Sequence, residues 1–419
     1  NHYGPGGLDI YDFQDLNRNA VRDVPGIYFY EGSAALEESG FGPRPDFSEP
    51  QVRDFIKDSV DVLLNEYNVD GFRWDYTKAI RGLVDGSFNV TSDLPEGISL
   101  LQEINSTVLA PNPDLISIAE DLAGDARLTS PVLSISGNPN DLFGFDYQWD
   151  ARFHFEMVNQ LQQTNDVNLD MNIVALNVNR DFKRLNYLES HDEVWEINNN
   201  DRVPTLIDSA NPESLRSRKM SALGAGVLFT IEGVPMIFQG GEILDIGGPD
   251  GDNSWDSDDP IDFSRLSDPN IAGFRDLYRD LIRARRNLEN RSAGLLGEQS
   301  NAYYVDNTLK VIAYERWNGG ANEGDRVVVF ANFSNTAYPS GLDIGLPAAG
   351  TWFELFNSDD TAYGTDFGDV GVDQTVTTTA SALHGYAQRG TVAIGARSMV
   401  ILSQAPPPVS TVEDWNLLD

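Results

Sequence analysis

Hydrophobic residues recur along this chain with two spacings that alternate. In SEPQVRDFIKDSVDVLLNEY, the residues Val52, Phe55, Ile56, Val60, Leu63 and Leu64 follow the repeat of an amphipathic helix, with Pro50 in its first turn and Ser48 as its expected cap. VDGFRWDY then reads as a short strand, a helix is expected over about 96–109, and DLISIAED is apolar enough for a buried strand. The alternation continues with LFGFDYQWD as a strand end, a helix near 150–163, RLNYLESHD as a strand and a helix over about 212–230. GVPMIFQGGE closes the series as a strand, followed by AGFRDLYRDLIRARRN as a helix. Strands alternating with helices predict a parallel α/β architecture. Beyond about residue 295 the segments AYYVD, LKVIAYERW, DRVVVFANFS, GTWFELFN and TVAIGARSMVILSQ are short strands separated by turn residues, which predicts an antiparallel all-β domain. The expected organisation is an α/β domain over 1–294, opened by a long loop in residues 1–50, a β-sandwich over 295–405 and a flexible tail over 406–419.

Composition narrows what such a chain can meet. Of its 419 residues, 41 % are hydrophobic and 10 % aromatic, which is globular, and no run of eighteen apolar residues exists. Cysteine is absent, so there are no disulfides or thiolate metal sites, and the compartment stays open. Acidic residues number 65 against 29 basic ones, only five of them Lys, for a net charge of −36. Such a surface repels phosphate, which argues against nucleic-acid and anionic-membrane partners. The acids are spread along the whole chain, and many carboxylates with few lysines predict a surface adapted to concentrated salt.

Three of the expected parallel strands end on a carboxylate: Asp75 after VDGFRWD, Glu120 after LISIAE and Asp192 after LNYLESHD. In a parallel α/β barrel, strand C-termini converge on one site. A strand-end Asp is by itself an ordinary turn or cap residue. Three converging carboxylates raise one another's pKa, and a fold that tolerates this generally uses it. The chemistry that needs such a set is retaining glycoside hydrolysis or transfer, in which nucleophile and acid lie roughly 5–5.5 Å apart. Arg73 lies two residues before Asp75, on the same face of the strand, where its charge would keep a nucleophilic carboxylate ionised. Glu120 follows an apolar run, which suits a carboxyl that must hold a proton as general acid. His191 is placed to hydrogen-bond sugar hydroxyls.

These segments resemble the signature regions of the α-amylase superfamily, glycoside hydrolase family thirteen. VDGFRWD resembles its nucleophile strand, ISIAED its acid/base strand, YLESHDEV its stabiliser strand and GVPMIFQGGE its last barrel strand. The resemblance covers most of residues 1–290, and the all-β segment fits the family's C-terminal domain. It implies a (β/α)8 barrel represented by about strands four to eight, with Asp75 as nucleophile, Glu120 as general acid/base and Asp192 as transition-state stabiliser. It further implies that His2, Arg73, His191 and Lys78 contact substrate. SHDEV, NHYGP, GIYFY, RPDFSEPQVRDFI and GFDYQWD resemble 1,4-α-glucan branching enzymes, and also trehalose-releasing relatives and branching-like hydrolases. Lys78 departs from that pattern, because it matches a lysine with which hydrolytic amylases hold sugar. The implied substrate is an α-glucan oligo- or polysaccharide such as starch, glycogen or maltooligosaccharide. Hydrolysis, branching transfer and a trehalose-forming reaction stay open, as does a non-catalytic glucan-binding protein. A branching enzyme implies a cytoplasmic setting and an amylase a secreted one.

DLNRNAVRD places Asp15, Asn17, Asn19 and Asp23 near calcium-loop spacing, but lacks the sixth-position glycine and the terminal bidentate Glu. Together with the acidic loop at 250–259, it reads as solvated loop, and no cofactor or essential metal is expected, although family amylases use the Asn matching Asn1 for calcium. Tyr3, Trp74, Tyr147, Trp149 and Trp195 lie near the expected site, where aromatic faces suit sugar rings. Core packing is the expectation for each, above all for Trp74, which should point away from Arg73 and Asp75. In the superfamily an Asn-His pair closes the third barrel strand, so the opening NHYGP resembles a motif cut through. Three further strands and an upstream β-sandwich or carbohydrate-binding domain are expected outside this sequence, and the sheet within it is expected to be open.

Overall fold

A computed structural model describes residues 28–37, 39, 42–87, 89–122, 124–132, 135, 142–180, 183–195, 201–247, 260–319 and 323–408. These form two compact units, one holding the described chain through Arg152 with the start of the strand at 184–187, the other holding the rest.

In the first unit the stretch expected as a long loop carries a short helix (Ala34–Glu37) and a Phe29–Pro45 bridge before the first long helix, α1 (Pro50–Asn65). Its Val52, Ile56 and Val60 are buried at four-residue spacing, whereas Phe55 and Leu63 are exposed. The expected cap does not form. Glu49 occupies the cap position without a side-chain bond, and Ser48 instead donates from both its amide and its hydroxyl to the Asp46 carboxylate. A nearer acceptor thus takes the serine, and proline in the first turn removes one of the donors a cap would serve.

Strand β1 (Gly71–Trp74) follows, then α2 (Pro95–Glu103), β2 (Ile116–Ala119), β3 (Tyr147–Trp149) and the start of β4 (Arg184–Tyr187). The strands are parallel, with Arg73 opposite Ile118, Ile118 opposite Tyr147, and Trp149 opposite Leu185. Gly71 makes the first pairing possible. Its φ is +151°, and a Cβ there would fall 2.0 Å from the Ile116 carbonyl oxygen. One face of the strands packs on Val52, Ile56, Trp74, Ile98, Leu101 and Phe143. Trp74 accordingly points into the core, as its odd position in the alternation predicts.

The second unit holds most of α3 (Ala151–Leu161), then α4 (Met171–Val178), the end of β4, α5 (Leu215–Thr230), β5 (Val234–Met236) and α6 (Pro269–Arg285). Helix α5 is buried on nearly every face, which explains why GAGVLFT lacks polar spacing. Within the first unit, β1, β2, β3 and the start of β4 stand side by side in that order, each pairing parallel.

The all-β part comprises β6 (Gln299–Asp306), β7 (Val311–Trp317), β8 (Arg326–Asn332), β9 (Tyr338–Leu346), β10 (Thr351–Asn357), β11 (Thr375–Thr377), β12 (Gln388–Ile394) and β13 (Ser398–Ser403). Six strands make a sheet in the order β11-β10-β13-β8-β7-β6, and β9 pairs with β12, every pairing antiparallel. TVAIGARSMVILSQ, expected as one strand, is two, because Arg397 at φ +46° turns the chain between β12 and β13. This domain is tied to α5 by the Lys219 ammonium on Asp359 and by the buried Arg316 guanidinium, which donates to the Thr230 carbonyl at 2.7 Å.

Candidate active site

The parallel register decides which side chains share a face. Cross-strand partners in a pleated sheet point the same way, and residues two apart repeat that direction. Arg73 faces with Ile118 and Tyr147, so Asp75, Glu120 and Trp149, each two positions further on, lie on that same side at the strands' C-terminal ends.

The Arg73 guanidinium reaches both carboxylates. One end bonds the Asp75 carboxylate, and Nη2 lies 3.7 Å from Glu120 Oε2. The flat face of the same guanidinium lies over the Trp149 indole, with Cζ 4.4 Å from the ring centroid. Exposure separates the two acids: the Asp75 side chain is 48 % exposed, the Glu120 side chain 6 %. An exposed carboxylate can meet a substrate carbon, and a buried carboxyl can hold a proton.

The backbone contributes as well. Tyr76 sits in the left-handed region at φ 45°, and its amide N–H donates to Glu120 Oε2. A non-glycine residue in that region is strained, which is common where a site must be held in place. The buried Tyr76 phenol has its pKa pushed up to about 12, by burial first and then by the Glu120 charge, so it stays protonated. Next to Glu120, Asp121 turns the opposite way into the unit. It takes Nε and Nη2 of Arg81 at 2.7 and 2.8 Å and the Thr77 hydroxyl at 3.0 Å, all buried. This pair fastens the end of β2 to the helix Thr77–Arg81 that leaves the Asp75 turn. The alternation in IAED separates Glu120 from Asp121, but nothing in the sequence names Arg81 as the partner.

In the second unit the turn after β4 holds two anchored carboxylates on either side of an exposed pair. Glu189 accepts the Val203 amide at 2.6 Å and lies 3.6 Å from Arg202 Nη1. Glu193 accepts the Tyr187 hydroxyl at 2.9 Å and the Ser190 hydroxyl. His191 and Asp192, between these anchors, are about half exposed and adjoin each other, with Nε2 3.4 Å from Oδ2. The structure therefore brings Arg73, Asp75 and Glu120 together in one unit, and His191 and Asp192 together in the other.

Lys78 lies on the helix Thr77–Arg81, half-buried, and no ion pair among the described residues joins it to Asp75 or Glu120. His2, Asn1, Tyr3, the residues Asp15, Asn17, Asn19 and Asp23, and the acidic loop at 250–259 lie outside the described residues. Among the described residues no group of three or more His, Asp or Glu is arranged to hold a metal ion, and no helix is long and apolar enough to cross a membrane. Trp149 is buried beneath Arg73, and Trp195 is 38 % exposed.

Comparison with known proteins agrees with this layout. Residues 43–276 match the family described as alpha amylase, catalytic domain, and residues 304–405 match alpha amylase, C-terminal all-beta domain. The 1,4-alpha-glucan branching enzyme of Pseudomonas syringae pv. tomato is 27 % identical over 379 residues, covering 83 % of this chain and 47 % of that protein. The branching enzyme of Frankia casuarinae is 24 % identical over 380 residues, covering 86 % and 43 %. This chain thus spans about half the length of the curated relatives it matches. Among solved structures, a type I pullulanase from Bacillus subtilis in complex with maltose superimposes with a TM-score of 0.58 at 17 % identity, over 94 % of this chain and 52 % of that one.

Proposed function

We propose that this chain, which belongs to the α-amylase family, carries the catalytic residues of a retaining transglycosidase acting on α-1,4-glucans, with a glucan hydroxyl as acceptor, as in 1,4-α-glucan branching. The observation that carries the reading is the single guanidinium of Arg73 in contact with both Asp75 and Glu120. A cation between two neighbouring carboxylates offsets their repulsion and supports the close spacing that retention requires.

In the proposed sequence of steps, the Asp75 carboxylate attacks the anomeric carbon. The glycosidic bond breaks, and the leaving glucan oxygen takes the proton held by Glu120. The chain is left as a glycosyl ester on Asp75. Glu120, now ionised, removes the proton of an incoming hydroxyl, whose oxygen displaces Asp75 and restores the original anomeric configuration. Asp192 stabilises the positive charge that develops on the sugar in both steps, and His191 hydrogen-bonds ring hydroxyls.

The acceptor distinguishes branching from hydrolysis. The branching-enzyme relatives support a sugar hydroxyl. The position of Lys78 on the helix that leaves the Asp75 turn supports water, since hydrolytic amylases hold sugar with the lysine it resembles. Incubation of the full chain with amylose separates the two. New α-1,6 linkages without a net rise in reducing ends support transfer, and new reducing ends support hydrolysis. In either case Asp75→Asn should lower the rate by roughly a thousandfold or more. Binding of amylose or maltooligosaccharides with no change in the product profile would overturn the enzymatic reading.

A further inference from the structure

We infer that Trp149 is a positioning residue of this site, whose indole face holds the Arg73 guanidinium at the point where it reaches both Asp75 and Glu120. The inference rests on the proposed roles of those two carboxylates.

Three features support it. First, the register places Arg73 and Trp149 on one face of the sheet, across the intervening strand β2, with the Trp149 ring beneath the guanidinium and Cζ 4.4 Å from its centroid. Second, Trp149 is only 5 % exposed, so a glucan cannot stack on it, and its face is occupied by Arg73. A buried aromatic face under a cation is an electrostatic support as well as a steric one. Third, Arg73 needs such a support. Its guanidinium spans an exposed carboxylate and a buried one, and a long side chain with several donors has many ways to satisfy only one of them. An indole floor removes those alternatives, because stacking fixes the guanidinium plane while its edge nitrogens reach outward to the two acids.

Trp149 is itself fixed from the next strand. The register sets Trp149 opposite Leu185 of β4. Beyond Trp149, Asp150 meets the fully buried Arg184 at 3.3 Å and accepts from Arg152 Nε at 3.2 Å. The amide of Asp150 donates to the Leu185 carbonyl at 3.1 Å. Before the indole, the Gln148 amide donates to the Lys183 carbonyl at 3.3 Å, so the end of β3 is pinned on both sides of Trp149.

The test uses Trp149→Leu, which removes the ring face, and Trp149→Phe, which keeps a smaller one. The carboxyl groups of Asp75 and Glu120 are followed by 13C NMR titration of the full chain labelled at Asp and Glu, a readout that needs no turnover. With Arg73 released, at least one of the two carboxyls should titrate higher by about half a unit to one unit in Trp149→Leu, and by less in Trp149→Phe. On amylose, kcat/KM should fall roughly three- to thirtyfold in Trp149→Leu, with the acid limb of the pH profile moved upward. In an Arg73→Met background the same Trp149 substitution should leave both titrations where Arg73→Met puts them. If Trp149→Leu does not fold, the graded shift in Trp149→Phe carries the test. Folded variants whose carboxyls titrate as in the parent chain would overturn the inference. An inactive parent chain would instead count against the proposed function, while the titrations would still decide what Trp149 does.

Discussion

One arginine meets both strand-end carboxylates of this site, the exposed Asp75 and the buried Glu120. Side-chain alternation makes the Arg73–Asp75 relationship readable from FRWD alone, because residues two apart on a strand share a face. The contact from Arg73 to Glu120, the indole beneath it and the Tyr76 amide on Glu120 are not readable, since each depends on strand register or on a left-handed turn at a residue that ordinarily avoids one. A half-buried acid of the all-β domain makes its own prediction at this scale. Glu354 in β10 has its pKa pushed up to about 7 by burial, against hydrogen bonds from Gln374, the Asp373 amide and Asn357. A carboxyl with a raised folded-state pKa binds its proton more tightly when folded. It therefore costs no stability below its unfolded value near 4.5, and it costs progressively more as pH rises through about 7, on the order of 3 kcal/mol in total. Relative to Glu354→Gln, the parent chain should be more stable at pH 5 than at pH 8, measured as the difference between urea midpoints. A difference that does not vary with pH would contradict this.

Elements are placed by pattern, and their ends by chemistry that the pattern does not contain. The helices α1, α2, α3, α5 and α6 and the strands β1 to β5 fall where apolar spacing predicts, because each must bury one face. The helix α1 starts at Pro50 as the pattern predicts, but without the expected cap, since Asp46 draws Ser48 away from the helix end. Helix α4 was missed because its eight residues are short for a repeat, while β9 carries two glycines. The Asp121–Arg81 pair shows how an element end is secured after folding, by two residues forty positions apart in the sequence. Both side chains are buried, so removing the Asp121 charge leaves Arg81 only the more distant Asp125, 3.9 Å away. Asp121→Asn should destabilise the first unit by about 3 kcal/mol. It should also loosen the turn that carries Asp75, seen as faster amide exchange at residues 75–81. Unchanged stability and exchange would show that the pair does not anchor the turn.

Across the whole molecule, charge sets the conditions under which the fold is stable. The acidic excess giving −36 is carried by a chain with only five lysines, and many of its arginines are committed to ion pairs, among them Arg53–Glu103, Arg81–Asp121, Arg184–Asp150 and Arg202–Asp245. Self-repulsion among the remaining carboxylates weakens as salt shortens the screening length to roughly 3 Å near 1 M. The thermal midpoint should therefore rise from low to molar potassium chloride, and an unchanged midpoint would remove the case for salt adaptation. Family membership was readable from short motifs in order along the chain, whereas the choice of acceptor was not, because it depends on surfaces that carry no motif. The proposed chemistry converges on one covalent bond. The most direct measurement is intact-mass and peptide mass spectrometry of Glu120→Gln after incubation with α-maltosyl fluoride, whose fluoride leaves without needing an acid. The account predicts a maltosyl adduct on Asp75 that disappears when Asp75 is also changed to Asn. An adduct on another residue, or turnover of the fluoride by the Asp75→Asn variant at the parent rate, would contradict it.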